Sequence, residues 1–99
     1  MQILKTVLTF LGPPYKITII DGENVIYRKL ENGIEFEVSY IRSLAGTCIL
    51  YVWAASPKEI IGIYENIPVK SLKDILGYYA TKYQNLTAEI RVEREDQII

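Results

Sequence analysis

Residues 47–54, TCILYVWA, constrain this chain more than any other stretch. In an extended strand successive side chains face opposite sides. Cys48, Leu50, Val52 and Ala54 would then share one side, and Ile49, Tyr51 and Trp53 the other. A strand apolar on both sides belongs inside a sheet. The preceding residues 34–40 alternate more cleanly, with Ile34, Phe36, Val38 and Tyr40 opposite Glu35, Glu37 and Ser39. Residues 42–46, RSLAG, supply a glycine-containing loop between the two, so residues 34–54 read as an antiparallel hairpin.

The other elements are read around that hairpin. In residues 2–11, Ile3, Leu4, Val7, Leu8 and Leu11 recur at helical spacing, and Gly12-Pro13-Pro14 is a stop signal. Residues 15–20 and 25–30 read as strands joined by an Asp21-Gly22 turn. Ser56-Pro57-Lys58-Glu59 has the form of a helix start, and Ile60, Ile61, Ile63, Tyr64 and Ile67 follow. That pattern predicts a short helix over 57–65, with a strand at 60–64 as the alternative. Leu72, Ile75, Leu76, Tyr79, Tyr83 and Leu86 form the stripe of a further helix that is expected to end near Asn85. Residues 87–94, TAEIRVER, alternate again, placing Ala88, Ile90 and Val92 inward on a C-terminal strand. The sum is a single α+β domain over residues 1–99. Its core is an antiparallel β-meander of about four strands plus a C-terminal strand, covered by two or three helices.

Composition removes several chemistries. The 99 residues include no histidine and one cysteine. Ser-His-Asp and Cys-His catalysis and His-based zinc sites are therefore excluded, and Cys48 reads as a buried structural thiol. Eleven Lys and Arg against 12 Asp and Glu leave a net charge of −1, which exerts no general pull on nucleic acid or anionic lipid. No apolar run approaches the ~18–20 residues that cross a bilayer. The first eleven residues lack the charged leader and cleavage site of a signal peptide, so an intracellular location without membrane contact is expected.

Three surfaces carry candidate sites. Tyr51 and Trp53, on the side of the central strand short of cover, can form an aromatic–apolar patch with Tyr27, Tyr40 and, from the helix, Tyr78. Such patches mark interfaces, and a homodimer or another protein partner is expected there. Lys16, Arg28, Lys29 and Arg42 accompany strand tyrosines and offer the alternative of single-stranded nucleic-acid binding. Glu35 and Glu37, two apart on a strand, would suit a metal-dependent hydrolase if Glu31 or Asp21 joined them. The bland reading of those glutamates is a solvated strand face. No catalytic residue, metal ligand or cofactor is assigned, and an enzyme is not expected.

The chain is rich in isoleucine and tyrosine, has methionine only at position 1, and mixes charges as in EIRVERED. With segments such as DILGYYATKYQNL, it resembles the small proteins encoded by filamentous viruses of hyperthermophilic, acidophilic archaea, of the lipothrixvirus and rudivirus type. That resemblance implies a hyperthermostable viral protein in the host cytoplasm that acts by binding a host or viral protein.

Overall fold

A computed structural model describes the backbone of residues 2–98 and the side chains of residues 2–85. Helix α1 spans Gln2–Leu11. Strands β1 (Lys16–Ile20), β2 (Glu23–Lys29), β3 (Glu35–Ser39), β4 (Thr47–Ala55) and β5 (Lys58–Pro68) follow. A 3-10 turn, Val69–Ser71, leads into helix α2, Leu72–Ile98. Each strand pairs antiparallel with its neighbour in sequence, giving one five-stranded meander in the order β1-β2-β3-β4-β5.

Both helices lie on the same side of this sheet. Leu4, Val7 and Leu11 of α1 join Leu72, Leu76, Ala80 and Tyr83 of α2 over Ile26, Phe36, Val38, Leu50 and Val52. The alternation of β3 and β4 dictates which side this is, since Phe36, Val38, Leu50 and Val52 are fully buried while Glu35, Glu37, Ile49, Tyr51 and Trp53 between them are half-buried. Helix α1 ends where Gly12 adopts φ 74° and its N–H is donated to the Leu8 carbonyl at 2.8 Å. Only glycine enters that left-handed region without strain, so the stop is set by sequence.

Two expectations are corrected. Residues 57–65 are not a helix; Pro57 lies in the β4–β5 turn and residues 58–65 belong to β5, in keeping with the alternative of a strand at 60–64. The β4–β5 register shifts between Cys48 and Leu50 and again between Val52 and Trp53. Each irregularity slips the two-residue alternation, so Ile60, Ile63, Tyr64 and Ile67 acquire a spacing that imitates a helix. Four isoleucines and an internal glycine favour the strand. Residues 87–94 are likewise not a strand, because α2 continues through them. Ala, Glu and Arg, five of these eight residues, are strong helix formers, and an already nucleated helix gains a hydrogen bond with each added residue. Among the described residues the covering helices thus number two, and the inward placement of Ala88, Ile90 and Val92, like that of Leu86, lies outside the described side chains.

Helix α2 is fastened to β5 by tyrosines. The Tyr64 and Tyr83 hydroxyls are hydrogen-bonded to each other, and Tyr64 stacks on Tyr79 at 4.1 Å between centroids. Gly62 makes room for this arrangement. A Cβ there would lie 2.5 Å from the Tyr83 hydroxyl oxygen and 2.9 Å from Cε2 of Tyr64. Tyr83 is 3% exposed and cannot swing clear. Gly62→Ala is therefore expected to destabilise the fold by about 1–3 kcal/mol, the usual range for overpacking. Urea unfolding reads this directly, and adding Tyr83→Phe is expected to restore part of the loss by removing the nearest oxygen. An unchanged midpoint in Gly62→Ala contradicts the packing.

Candidate interaction surface

With both helices on one side, the other side of the sheet carries no covering element among the described residues. Strand register places two cross-strand rows on this open side. One runs Lys16, Tyr27, Glu37, Tyr51, Ile63 from β1 to β5, and the other Lys29, Glu35, Trp53, Ile60 from β2 to β5. In both, cations occupy the β1–β2 margin, carboxylates the middle, and aromatic and aliphatic groups the β4–β5 half. Ile60 is 43% and Ile63 50% exposed, and Tyr51 and Trp53 are half-buried.

The carboxylates are fixed by their neighbours. The Tyr27 hydroxyl donates to Glu35 Oε1 at 2.7 Å, with Lys58 Nζ 4.0 Å from the same oxygen. The Trp53 indole N–H donates to Glu37 Oε1 at 3.1 Å, and the Ser39 hydroxyl to Glu37 Oε2 at 2.9 Å. Hydrogen bonds to a charged acceptor are the strong kind, and these hold Trp53 in one orientation. A hollow of about 390 Å³ opens beside it, lined by Val25, Glu37, Ser39, Tyr51, Trp53 and Ile60 among others. Its floor is firm, since Val25 and Ser39 are buried although they face this side.

The structure brings Tyr27, Tyr51 and Trp53 onto one surface. Tyr40 joins them by an unexpected route. Alternation from Phe36 and Val38 would turn it to the covered side, but β3 stops at Ser39 and Tyr40 takes φ 65°. That left-handed conformation is uncommon for a bulky residue, and it leaves the ring 47% exposed beside the hollow. Tyr78 does not belong to this surface. It is 65% exposed on α2, at a groove between that helix and β5.

The basic residues divide as well. Lys16 Nζ stands 5.4 Å from the centre of the Tyr27 ring, and the Arg42 guanidinium 5.6 Å from that of Tyr40. Lys29 is exposed at the open margin. Arg28 instead faces the covered side, since it pairs with Phe36, and its Nη1 donates to the Tyr15 hydroxyl at 3.3 Å. Sequence reading missed Lys58, which stands 5.6 Å from the centre of the Trp53 ring, and also Ile60 and Ile63. Assigning 57–65 to a helix hid all three. Among the described residues no three His, Cys, Asp or Glu side chains converge in a way that could hold a metal ion.

Burial and neighbours shift several protons upward. Burial, then the hydrogen bond and charge of Glu35, push the Tyr27 phenol up to about 12. Burial alone pushes the Cys48 thiol up to about 11. Tyr83 is raised by burial and by its bond to Tyr64. The unfolded chain therefore releases these protons at lower pH than the folded one, and stability falls as pH rises. Thermal melts followed by circular dichroism are expected to show a midpoint that declines between about pH 9 and pH 12. A midpoint that holds level or rises across that window contradicts the buried, hydrogen-bonded state of these groups.

Among the described residues, no helix is long and apolar enough to cross a membrane. Comparison with known proteins gives no match to a family, a curated protein or a solved structure.

Proposed function

We propose that this protein is a non-enzymatic interaction module that pairs with a second copy of itself through the β4–β5 half of the open sheet face. The observation that supports this reading is the one-sided cover of the sheet, which leaves Tyr51, Trp53, Ile60 and Ile63 adjacent and accessible. A sheet face of this kind packs on another at a separation of about 10 Å, with side chains interdigitating. Tyrosine and tryptophan suit such a contact because each buries a large ring while its polar atom keeps a partner. Trp53 already has that partner in Glu37, so docking need not strand the indole N–H. In the setting implied by the viral resemblance, the module serves inside an infected cell and can also present this face to a host or viral protein.

Trp53 is the sole tryptophan, so its fluorescence reports on this face. On dilution through the dissociation range its emission is expected to shift to the red as the ring regains water. Emission independent of concentration, in a sample whose mass changes on dilution, would place the contact elsewhere.

A second reading rests on the three cation–ring pairs at the open face, Lys16 with Tyr27, Arg42 with Tyr40 and Lys58 with Trp53. Aromatic platforms beside cations bind single-stranded nucleic acid. Glu35 and Glu37 lie between those pairs and oppose a phosphate backbone, so this reading stands second. A complex with single-stranded DNA that forms at low salt and dissolves at high salt supports it.

A further inference from the structure

A groove distinct from the aromatic hollow runs along the outer edge of β5, where it faces α2. Among the described residues β5 pairs only with β4, so its far edge is a sheet edge with no strand beside it there. Such an edge presents backbone N–H and C=O groups to whatever lies beside it. On one wall stand Ile63, Glu65 and Ile67, and on the other Asp74, Ile75 and Tyr78. The groove is about 570 Å³, of the size that receives one or two large side chains. Its floor is preformed, because Tyr79 stacks on Tyr64 at 4.1 Å and Tyr78 stands edge-on to Tyr79 at 5.1 Å. Tyr78 and Ile63 are nonetheless 65% and 50% exposed, apolar surface held open to solvent.

The charged side chains lining the groove are both acidic, with Lys82 Nζ 5.9 Å from the centre of the Tyr79 ring at its floor. Glu65 and Asp74 are its only charged lining residues, both exposed and neither in an ion pair among the described residues. An apolar slot with an acid on each wall is complementary to an apolar side chain flanked by cations. The strand edge adds a constraint on backbone shape. Asn66 takes φ 58°, and the ladder is irregular there, so regular pairing along the edge ends at Tyr64. From this geometry we infer that the β5–α2 groove binds a short, extended, basic–apolar peptide segment of a partner protein. The segment pairs with the edge at residues 62–64, seats one aromatic or aliphatic side chain against Tyr78 and Ile75, and sets its cations beside Glu65 and Asp74. Strand addition to a free edge, with pockets for alternate side chains, is an established recognition mode.

The test is an NMR titration of the full chain with acetyl-Lys-Val-Lys-Phe-Lys-amide, and separately with acetyl-Glu-Val-Glu-Phe-Glu-amide. The basic peptide is expected to shift amide signals of residues 62–67 and 74–79, and the acidic one to leave them in place. Tyr78→Ala is expected to weaken binding about tenfold, as loss of an aromatic anchor does. Glu65→Gln and Asp74→Asn should each weaken it about threefold at low salt, the scale of an exposed ion pair. Ile19→Ala, 69% exposed on β1 at the opposite edge of the sheet, should leave the dissociation constant unchanged. No shifts at ~1 mM basic peptide, near the weak limit of specific binding, overturn the inference. So do equal shifts with the acidic peptide, or binding that Ile19→Ala abolishes and Tyr78→Ala spares.

Discussion

Phe36→Ala is expected to cost about 3–5 kcal/mol, the range for removing a large aromatic side chain from a packed core. The side chain is fully buried in β3, the middle strand of five. It lies between Arg28 of β2 and Val52 of β4 in the ladder, and its ring meets that of Tyr83 edge-on at 6.1 Å. The substitution therefore opens a void where the sheet and α2 meet, and neighbours fixed by strand pairing cannot collapse into it. A domain of this size gains in total only about 5–15 kcal/mol on folding. The melting midpoint is expected to fall by at least ~12 °C, at about 4–8 °C per kcal/mol. Phe36→Leu, which keeps much of the volume, should cost markedly less. Equal loss in both variants would show that the site is not packed as described.

The second large effect concerns assembly. Trp53→Ala is expected to raise the dissociation constant of the self-associated form by ~30-fold or more, equivalent to roughly 2 kcal/mol at an interface hot spot. Trp53 sits in the row between Glu35 and Ile60, half-buried and with Lys58 over its ring. Its indole N–H is already satisfied by Glu37. The ring is consequently presented in one orientation, so little side-chain freedom remains to be lost on docking. Trp53→Phe separates the contributions of area and orientation. It keeps an aromatic surface but lacks the donor to Glu37, and an intermediate loss is expected. Tyr27→Phe serves as a control, because Tyr27 lies toward the charged β1–β2 margin and should alter assembly little. Sedimentation velocity across a dilution series measures all three variants. Wild-type association in Trp53→Ala would move the contact away from this face.

Much of this architecture was legible in the residues. The alternation of 34–40 and the two-sided apolar run of 47–54 placed β3 and β4 and identified Tyr51 and Trp53 as the side short of cover. Asp21-Gly22 and Gly12-Pro13-Pro14 marked a turn and a helix end because those backbone conformations strongly select their residues. Strand β5 was legible only as the alternative at 60–64 for a physical reason, since its irregular register near Gly62 and Asn66 converts strand alternation into helical spacing. Lys58, Ile60 and Ile63 were lost from the candidate surface with it. The extension of α2 was hidden because TAEIRVER satisfies strand alternation and helix propensity together, and periodicity alone does not choose between them. Tyr40 reached the open face through a positive φ that a strand pattern does not encode. Arg28, grouped by sequence with surface cations, is turned inward onto Tyr15 by the same two-residue alternation that exposes Lys29.

The measurement that bears most directly on the open face as a self-association surface is solution mass by light scattering, taken over a dilution series with and without single-stranded DNA. The expected result is twice the 11.4 kDa of one chain at high concentration, indifferent to DNA and reduced to the single-chain mass by Trp53→Ala. A single-chain mass at every concentration, rising only when DNA is added at low salt, would contradict self-association and promote the nucleic-acid reading in its place.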